Sequence, residues 1–218
     1  MTSISYYSPD YQTARRRFHS AATEANALQE RHRLIPGQYI EHDLSIDVAF
    51  VGSEHPDWVL VVSSGLHGVE GFFGSAIQLA LLAQFGSGRI LPENGRIVLV
   101  HAINPFGFHF QRRVNEDNVD LNRNFLLSDQ KYKGRPPGYD RLNDFLNPKS
   151  PPSLMEPLWL KALSLVARAG IPALKVGIVS GQYDYPRGLF FGGQNAARST
   201  CIVQSNFRRW LGGAQRIV

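Results

Sequence analysis

The sequence predicts an α/β fold with a central mixed, mainly parallel sheet flanked by helices. Residues 58–62 and 96–103 form two apolar runs rich in β-branched residues, which is the composition of buried strands. Between them, apolar residues recur at helical spacing over residues 72–83. A strand, a helix and a second strand in succession predict a parallel pair joined by a right-handed crossover.

Composition and charge indicate the class of protein and its expected partners. The 218 residues, 43% hydrophobic and 19% charged, are typical of one globular domain, predicted here over residues 1–218. The basic residues behind the net charge of +5 are dispersed, so nucleic acid is not an expected partner. The single cysteine, Cys201, cannot form an internal disulfide. Without a leader peptide or a long apolar run, the sequence predicts a cytoplasmic protein with no membrane partner, and the oligomeric state stays open.

The segments on either side of this unit predict further elements. A helix is predicted over residues 11–34, with its three consecutive arginines, Arg15 to Arg17, on the solvated side. Residues 44–50 alternate as a half-buried strand does. The later expectations are an ordered proline-rich excursion over 128–157, a helix over 157–169, a strand over 175–180, a segment over 181–193 that either lines a pocket or forms a hairpin, a helix over 196–211 and the start of a buried strand over 214–218.

The strand at residues 58–62 leads into a glycine-rich turn that carries His67 and Glu70. Ligands of α/β sheets bind beyond the carboxyl ends of strands, and a spacing of three brings two side chains to one side of a turn. Imidazole nitrogen and carboxylate oxygen are zinc ligands, so zinc is the predicted cofactor. The surrounding glycines are expected to let a metal or substrate approach the main chain. The alternative is structural: His67 forms a hydrogen bond within the turn and Glu70 caps the next helix.

A polar loop over residues 110–125 is the second candidate region. It sets Arg112, Arg113 and Arg123 among four asparagines, at positions 115, 118, 122 and 124. Guanidinium groups bind carboxylates through two parallel hydrogen bonds, and a further arginine can stabilise an oxyanion. The alternative is a solvated loop in which Asp120 pairs with an arginine.

These stretches together resemble the zinc carboxypeptidase-like (M14) metallopeptidase superfamily, and within it the DUF2817 branch. The similarity lies in Gly-Leu-His67-Gly-Val-Glu70-Gly, Ile-Asn-Pro-Phe-Gly107 and Val-Asp-Leu-Asn122-Arg123-Asn-Phe. The resemblance implies a phosphorylase/hydrolase-like fold in which His67 and Glu70 bind zinc. It further implies that Asn122 and Arg123 hold the terminal carboxylate of a substrate. Arg113, or Arg112 in its place, would polarise the scissile carbonyl.

The activity implied by the resemblance is zinc-dependent hydrolysis of an amide bond next to a free carboxylate. The substrate would be a small peptide or, alternatively, an N-acyl amino acid, as in deacylases of the aspartoacylase and succinylglutamate desuccinylase type. A non-catalytic, carboxylate-binding relic is the alternative outside enzymes. Small carboxylate ligands are therefore the expected partners in each case.

One feature of the resembling family is missing from the sequence. The resemblance implies a third zinc ligand, a histidine on a later strand, and a general-base glutamate beyond it, yet no histidine follows His109. We therefore expect a chain truncated at its C-terminus, lacking the last strands of the domain and having little or no hydrolase activity. His101 and His109 are the candidate replacements for the missing ligand, although His101 is expected to be a buried histidine satisfied by a neighbour. Whether the chain is an active enzyme stays open.

Overall fold

The computed structural model describes residues 5–34, 42–88, 93–148, 159, 163–164, 166–167 and 180–218. The chain divides into two compact units, which are described separately below. The first comprises Met1–Glu116 and Ala197–Val218, and the second comprises Asp117–Ala196. The single-domain organisation expected from the sequence stays a prediction.

The first unit is built on a five-stranded mixed sheet. Its strands are β1 (Leu28–Arg33), β2 (Ser45–Gly52), β3 (Trp58–Ser63), β4 (Gly95–His101) and β5 (Arg216–Ile217), in the spatial order β1-β2-β4-β3-β5. β3 pairs in parallel with β4 and β5, whereas β2 pairs antiparallel with β1 and β4. Each antiparallel pairing joins six residue pairs, and the parallel pairings join six and two. Among the described residues the sheet is therefore mixed, and the expectation that it is mainly parallel is not confirmed.

Helices cover both faces of this sheet. The helices α1 (Tyr11–Glu24) and α2 (Gly71–Gly86) share one apolar core with β2 and β4. α3 (Pro105–His109) follows β4, and α5 (Arg198–Trp210) contacts β1, where Trp210 donates a hydrogen bond to Glu30. Glu30 pairs with Val48, whereas the core shared with α1 and α2 takes Ala49 and Val51 from β2. Because side chains alternate across a strand, α5 lies on the opposite face.

The predicted strand, helix and strand over residues 58–103 are present as β3, α2 and β4, and the parallel pairing of the two strands is confirmed. α2 turns Leu79, Leu82 and Phe85 into the core, as the helical spacing predicts. β3, however, is only partly buried, since a single residue, Val59, is fully inside. It lies next to β5, which is exposed rather than the buried strand expected over residues 214–218.

The first helix is shorter than the sequence predicts. α1 ends at Glu24, and Asn26 adopts a left-handed conformation with φ of 51°. Asparagine tolerates this conformation at a helix end, which stops the helix. Residues 28–33 then form β1, antiparallel to β2. The expectation of a helix as far as residue 34 is therefore wrong.

Arg15 is buried in an ion cluster, which corrects its placement on a solvated helix face. Its Nε lies 2.9 Å from Oδ2 of Asp47, a residue of β2 that is itself fully buried. His19 of α1 and the Ser45 hydroxyl also reach Asp47. Although burial opposes ionisation, the hydrogen bond from His19 and the charge of Arg15 lower the pKa of Asp47. The sequence predicts β2 to be buried on one face only, but both of its faces are buried. Asp47 can lie inside because its charge is compensated by the groups around it.

His101, at the end of β4, is fully buried, as predicted. Its Nε2 lies 3.2 Å from the Ser75 hydroxyl, and its ring stacks on Phe18 at 4.7 Å between centroids. Burial lowers the pKa of His101 to about 4, because the charged imidazolium loses its hydration. The folded chain therefore keeps this imidazole neutral at pH 7.

The described residues of the second unit include the eight-residue helix α4 (Tyr139–Leu146). It lies within the proline-rich excursion predicted over residues 128–157. Of the helix predicted over residues 157–169, the structure describes residues 159, 163–164 and 166–167, which are helical. The strand predicted over residues 175–180 lies outside the described residues except for residue 180. Within the ranges that the structure does describe, none of the helices combines the length and apolar composition that a membrane crossing requires.

The buried His101 makes the stability of the fold depend on pH. The unfolded chain takes up a proton at this imidazole near pH 6.5, while the folded chain does not until about pH 4. The unfolding free energy of the wild type should therefore fall as the pH drops through this window, by at most about 3 kcal/mol from this group. We expect His101→Gln to flatten that dependence when unfolding by urea is followed at pH 7, 6 and 5.

The matched control for this experiment is His55→Gln, which removes an exposed imidazole from the same unit. It should leave the pH dependence unchanged. His19 acts in the opposite direction, since its raised pKa stabilises the fold below pH 6.5 and loses effect as the pH rises. Identical pH slopes in the wild type and His101→Gln would contradict the assignment.

Candidate metal and carboxylate sites

His67 and Glu70 lie together on the turn that joins β3 to α2. His67 precedes a short 3₁₀ helix, Gly68–Glu70, and α2 begins at the next residue. The ring Nδ1 of His67 lies 3.1 Å from Oε1 of Glu70. The imidazole is buried, with 9% of its side chain exposed, whereas the carboxylate is 64% exposed. A buried imidazole nitrogen and an exposed carboxylate oxygen therefore lie within hydrogen-bond distance of each other on this turn.

The structural alternative for this pair is half right. His67 does form a hydrogen bond within the turn, and its partner is Glu70. Glu70 occupies the N-cap position of α2 but forms no side-chain capping bond there. The capping role is therefore wrong, and the carboxylate is held by the imidazole instead of by the helix.

The glycines of the turn make room for α3 rather than for a ligand. A Cβ built on Gly68 would lie 1.8 Å from the carbonyl carbon of Gly107, and one on Gly71 would lie 2.5 Å from the ring of Phe108. Real Cβ atoms do not approach so closely, so both positions require glycine. These two glycines therefore allow α3 to pack against the turn, and they do not open space for a metal or substrate as the sequence predicts.

A buried glutamine of α2 forms hydrogen bonds with the strand ends next to the turn. Gln78 of α2 donates hydrogen bonds to the carbonyls of Val62 and Val100, at 2.9 and 3.1 Å, and its side-chain oxygen accepts one from Ser64. The Ser64 hydroxyl in turn accepts from the amide of Ala102 at 3.1 Å. These bonds tie together the ends of β3 and β4, from which the turn and α3 begin. Sequence reasoning missed Gln78, and the available signal was a polar residue inside an apolar helical pattern.

Arg112 and Arg113 follow α3 and are both exposed. The Arg112 amide donates to the carbonyl of Gly107 at 2.7 Å, and the Asn104 side chain donates to the carbonyl of Arg113. Asn104 also caps α3 by accepting a hydrogen bond from the Gly107 amide at 2.8 Å. The two arginines are thus tethered to α3, the helix that packs on the turn bearing His67 and Glu70.

In the second unit, Asn122 and Arg123 lie on a short 3₁₀ helix, Leu121–Arg123. Asp120 begins this helix: its side chain accepts from the Asn122 amide at 3.1 Å and its carbonyl accepts from the Arg123 amide at 2.9 Å. Asn122 is exposed and Arg123 partly buried. Asp120 is fully buried, and its hydrogen bonds order the backbone of the loop. The loop is therefore more ordered than the solvated-loop alternative implies.

Two asparagines of the same loop have structural roles. Asn118 donates to the carbonyls of Pro186 and Gly188, and the buried Asn124 donates to those of Gly192 and Asn195. Both side chains thereby hold the segment over residues 181–193. At these two positions, the asparagines of the loop stabilise its structure rather than face a ligand.

That segment is organised by Gln182, which sequence reasoning also missed. The side chain of Gln182 is fully buried, donates to the carbonyls of Tyr185 and Leu189, and accepts from the amides of Asp184 and Tyr185. The backbone forms a single parallel bridge between Gln182 and Phe191. A hairpin would be antiparallel, so the hairpin alternative is wrong.

The donor set of the turn fits two positions of a metal site. A neutral imidazole and a carboxylate suit zinc, which accepts nitrogen and oxygen ligands. Across the described ranges, no cluster of three or more histidine, cysteine, aspartate or glutamate side chains is placed to hold a metal ion. His101 and His109 therefore do not complete such a group with His67 and Glu70. The His109 ring instead lies against that of His42, tilted by 39° and 4.5 Å away between centroids.

The architecture and the site define a mixed α/β protein with an imidazole and a carboxylate paired beyond the strand β3. The sequence model of a family described as "Protein of unknown function (DUF2817)" matches residues 7–218. The chain belongs to this family. No curated protein matches it.

Several solved structures are similar to parts of the chain. One is a protein provisionally named carboxypeptidase A from Shewanella denitrificans OS-217, with a TM-score of 0.42 and 16% identity over 55% of this chain and 32% of that one. Another, provisionally named a metallopeptidase from Shewanella baltica OS155, has a TM-score of 0.39 and 21% identity over 56% and 42%. A third, provisionally named a metallopeptidase from Shewanella denitrificans OS217, has a TM-score of 0.40 and 21% identity over 60% and 52%. The aligned part of this chain thus spans between a third and a half of these proteins.

The packing role of Gly68 is open to a direct test. Gly68→Ala would drive a methyl group into the backbone of Gly107, which cannot move without displacing α3. We expect it to lower the unfolding free energy by about 3 kcal/mol or more, measured by urea unfolding. Gly88→Ala is the control, because a Cβ there meets no atom within 4 Å and adds only the strain of its φ of 70°. An equal or smaller loss in Gly68→Ala would contradict the packing role.

Proposed function

We propose that this chain carries part of the active site of a zinc-dependent hydrolase that cleaves an amide bond beside a free carboxylate. The observation that carries the proposal is the pairing of His67 with Glu70 at 3.1 Å on a turn beyond β3. The pair sets a nitrogen ligand and an oxygen ligand together just beyond the carboxyl end of a strand, where ligands of α/β sheets bind. The resemblance to zinc carboxypeptidase-like proteins assigns the same two residues to the metal.

His67 and Glu70 are suited to this role in complementary ways. The buried imidazole is held in one orientation by its surroundings, which reduces the entropy lost when it binds a cation. The exposed carboxylate can rotate to admit a cation and still keep its position near the imidazole. Because a cation displaces any proton that the two groups share, zinc binding should weaken as the pH falls. When bound, zinc polarises a carbonyl and activates water for hydrolysis.

The arginines and Asn122 supply the remaining functions in this proposal. Arg123 and Asn122 bind the free carboxylate of the substrate, because a guanidinium fork and an amide donor match its two oxygens. Arg113, with Arg112 as the alternative, stabilises the negative charge that develops on the scissile carbonyl oxygen. Both of these guanidinium groups are exposed beside α3 and so are accessible to a substrate.

The class of substrate is open between two chemistries. Small peptides and N-acyl amino acids each present an amide bond near a free carboxylate. Activity on N-acyl amino acids but not on peptides would favour a deacylase, and the reverse would favour a carboxypeptidase. Binding of small carboxylates without turnover of either class, in the presence of zinc, would favour the non-catalytic alternative.

The metal assignment predicts the effect of removing either ligand. His67→Ala and Glu70→Ala should each weaken zinc binding by about two orders of magnitude or more, because each removes one of two protein donors. The measurement is zinc retained after dialysis against a competing chelator, quantified by elemental analysis. His55→Ala, which removes an exposed histidine of the same unit, should keep the zinc content of the wild type. Stoichiometric zinc in either ligand variant would remove that residue from the site.

The carboxylate assignment predicts a loss from a substitution that conserves charge. Arg123→Lys should weaken binding of N-benzoylglycine by about tenfold, because an ammonium group cannot form the paired hydrogen bonds of a guanidinium. Isothermal titration calorimetry measures this directly. Arg187→Lys, at an exposed arginine of the same unit, should leave the affinity unchanged. Equal affinity in the wild type and Arg123→Lys would exclude Arg123 from carboxylate binding.

A further inference from the structure

The backbone around Arg123 is held on both sides by specific hydrogen bonds. On the amide side, Asp120 accepts from the N–H groups of Asn122 and Arg123. On the carbonyl side, the Tyr183 hydroxyl donates to the carbonyl of Arg123 at 2.8 Å, and the Tyr132 hydroxyl donates to that of Asn124 at 2.7 Å. Two tyrosines from elsewhere in the unit thus bind consecutive carbonyls. Such a backbone has little freedom to change the direction of the side chain that it carries.

The side chain of Arg123 is confined as well. Gly181 lies against its aliphatic part, where an added Cβ would be 2.7 Å from Cδ, 3.0 Å from Cγ and 3.1 Å from Nε. Gly181 also has a φ of 77°, which favours glycine for a second reason. The Nε atom of Arg123 is buried, while Nη1 donates to the carbonyl of Asn122 at 3.0 Å. The guanidinium group is therefore fixed at its base.

Tyr183 is itself held in place for this contact. Its ring packs on Gly192, where a Cβ would lie 2.2 Å from Cε1, and its amide donates to the carbonyl of Gly134 at 2.9 Å. The adjacent Gln182 fixes the following turn through four hydrogen bonds. Burial raises the pKa of the Tyr183 phenol, so the hydroxyl keeps its proton and remains a donor at neutral pH.

We propose that Gly181, Tyr183 and Tyr132 are positioning residues that set the direction of the Arg123 guanidinium and thereby its preference for a carboxylate over a neutral amide. This inference rests on the proposed role of Arg123 in carboxylate binding. A correctly directed guanidinium donates two parallel hydrogen bonds to a carboxylate, whereas an amide offers a single acceptor oxygen and no charge. Loosening the guanidinium should therefore cost carboxylate affinity more than amide affinity.

The test compares the affinities of N-benzoylglycine and N-benzoylglycinamide by calorimetry. For Tyr183→Phe, we expect the carboxylate-over-amide ratio to fall by about threefold to tenfold, the effect of one lost hydrogen bond. Tyr132→Phe should lower the ratio in the same direction and provides a second variant if Tyr183→Phe fails to fold. Gly181→Ala should lower it most, because the added methyl displaces the Arg123 side chain.

The matched control is Tyr185→Phe, which removes a hydroxyl two residues away in the same segment. That hydroxyl donates to Asp140 and not to the arginine-bearing loop. A merely structural loss would weaken both ligands equally, so the ratio in Tyr185→Phe should equal that of the wild type. The melting temperatures of the two phenylalanine variants show whether their overall stabilities match.

The outcomes separate this inference from the function on which it rests. An unchanged ratio in Tyr183→Phe, Tyr132→Phe and Gly181→Ala, together with a reduced ratio in Arg123→Lys, would overturn the positioning role alone. An unchanged ratio in Arg123→Lys, or no binding by the wild type, would overturn the carboxylate assignment and the inference with it.

A measurement without ligand tests the positioning directly. The Nε–H of Arg123 is buried, so its exchange with water, followed by nuclear magnetic resonance, should be slow in the wild type. It should become at least several-fold faster in Tyr183→Phe and in Gly181→Ala but not in Tyr185→Phe. Unaltered exchange in both of the first two variants would overturn the inference, whatever the ligand measurements give.

Discussion

The close approach of Gly68 to Gly107 is the contact on which the turn bearing His67 and Glu70 depends. A Cβ on Gly68 would lie within 2.4 Å of three backbone atoms of Gly107 and Phe108, so the two chain segments touch through their main chains. This contact seats α3 against the turn that presents His67 and Glu70. It also fixes where Arg112 and Arg113 leave α3, because Gly107 accepts a hydrogen bond from the Arg112 amide. One backbone contact thereby places two elements that the proposed chemistry requires.

The ion cluster around Asp47 connects two strands and a helix of the same unit. Arg15 and His19 of α1 reach across to a fully buried carboxylate on β2, and Arg31 of β1 approaches it at 3.5 Å. A buried charge without a partner is strongly destabilising, so these contacts require α1, β1 and β2 to keep this arrangement. His101 lies close enough for Asp47 to influence its pKa, although burial dominates and keeps the ring neutral.

The sequence predicts the centre of the fold well and its edges poorly. β3 and β4 were predicted from their apolar runs, and α2 was predicted from the helical spacing of its apolar residues. β1 was not, since its residues Glu30, Arg31 and His32 are polar and are stabilised by partners distant in sequence, such as Arg209 and Asp47. The burial of Arg15 escaped prediction for the same reason. Helical spacing places Arg15 beside Tyr11 and Phe18 on the buried face of α1, but the sequence does not show that Asp47 lies there to compensate its charge.

The candidate sites divide in a similar way. The pairing of His67 with Glu70 follows from their spacing and is observed, whereas the roles of the nearby glycines depend on α3, which lies forty residues further along the chain. Asn118 and Asn124 looked like ligand-binding residues because exposed polar side chains in a loop suggest function. Their hydrogen bonds instead connect the loop to the segment over residues 181–193. Tyr132 and Tyr183 gave no signal in the sequence, because a tyrosine that binds a distant carbonyl resembles any other.

The central claim is that His67 and Glu70 are the protein ligands of a metal ion. X-ray absorption at the zinc edge of the zinc-loaded chain tests it most directly, because the spectrum distinguishes imidazole, carboxylate or water oxygen, and sulfur neighbours. We predict a shell of nitrogen and oxygen atoms that contains a single imidazole, and the loss of that imidazole signal in His67→Ala. A sulfur neighbour from Cys201, or two imidazoles as the adjacent His42 and His109 would provide, would contradict the account.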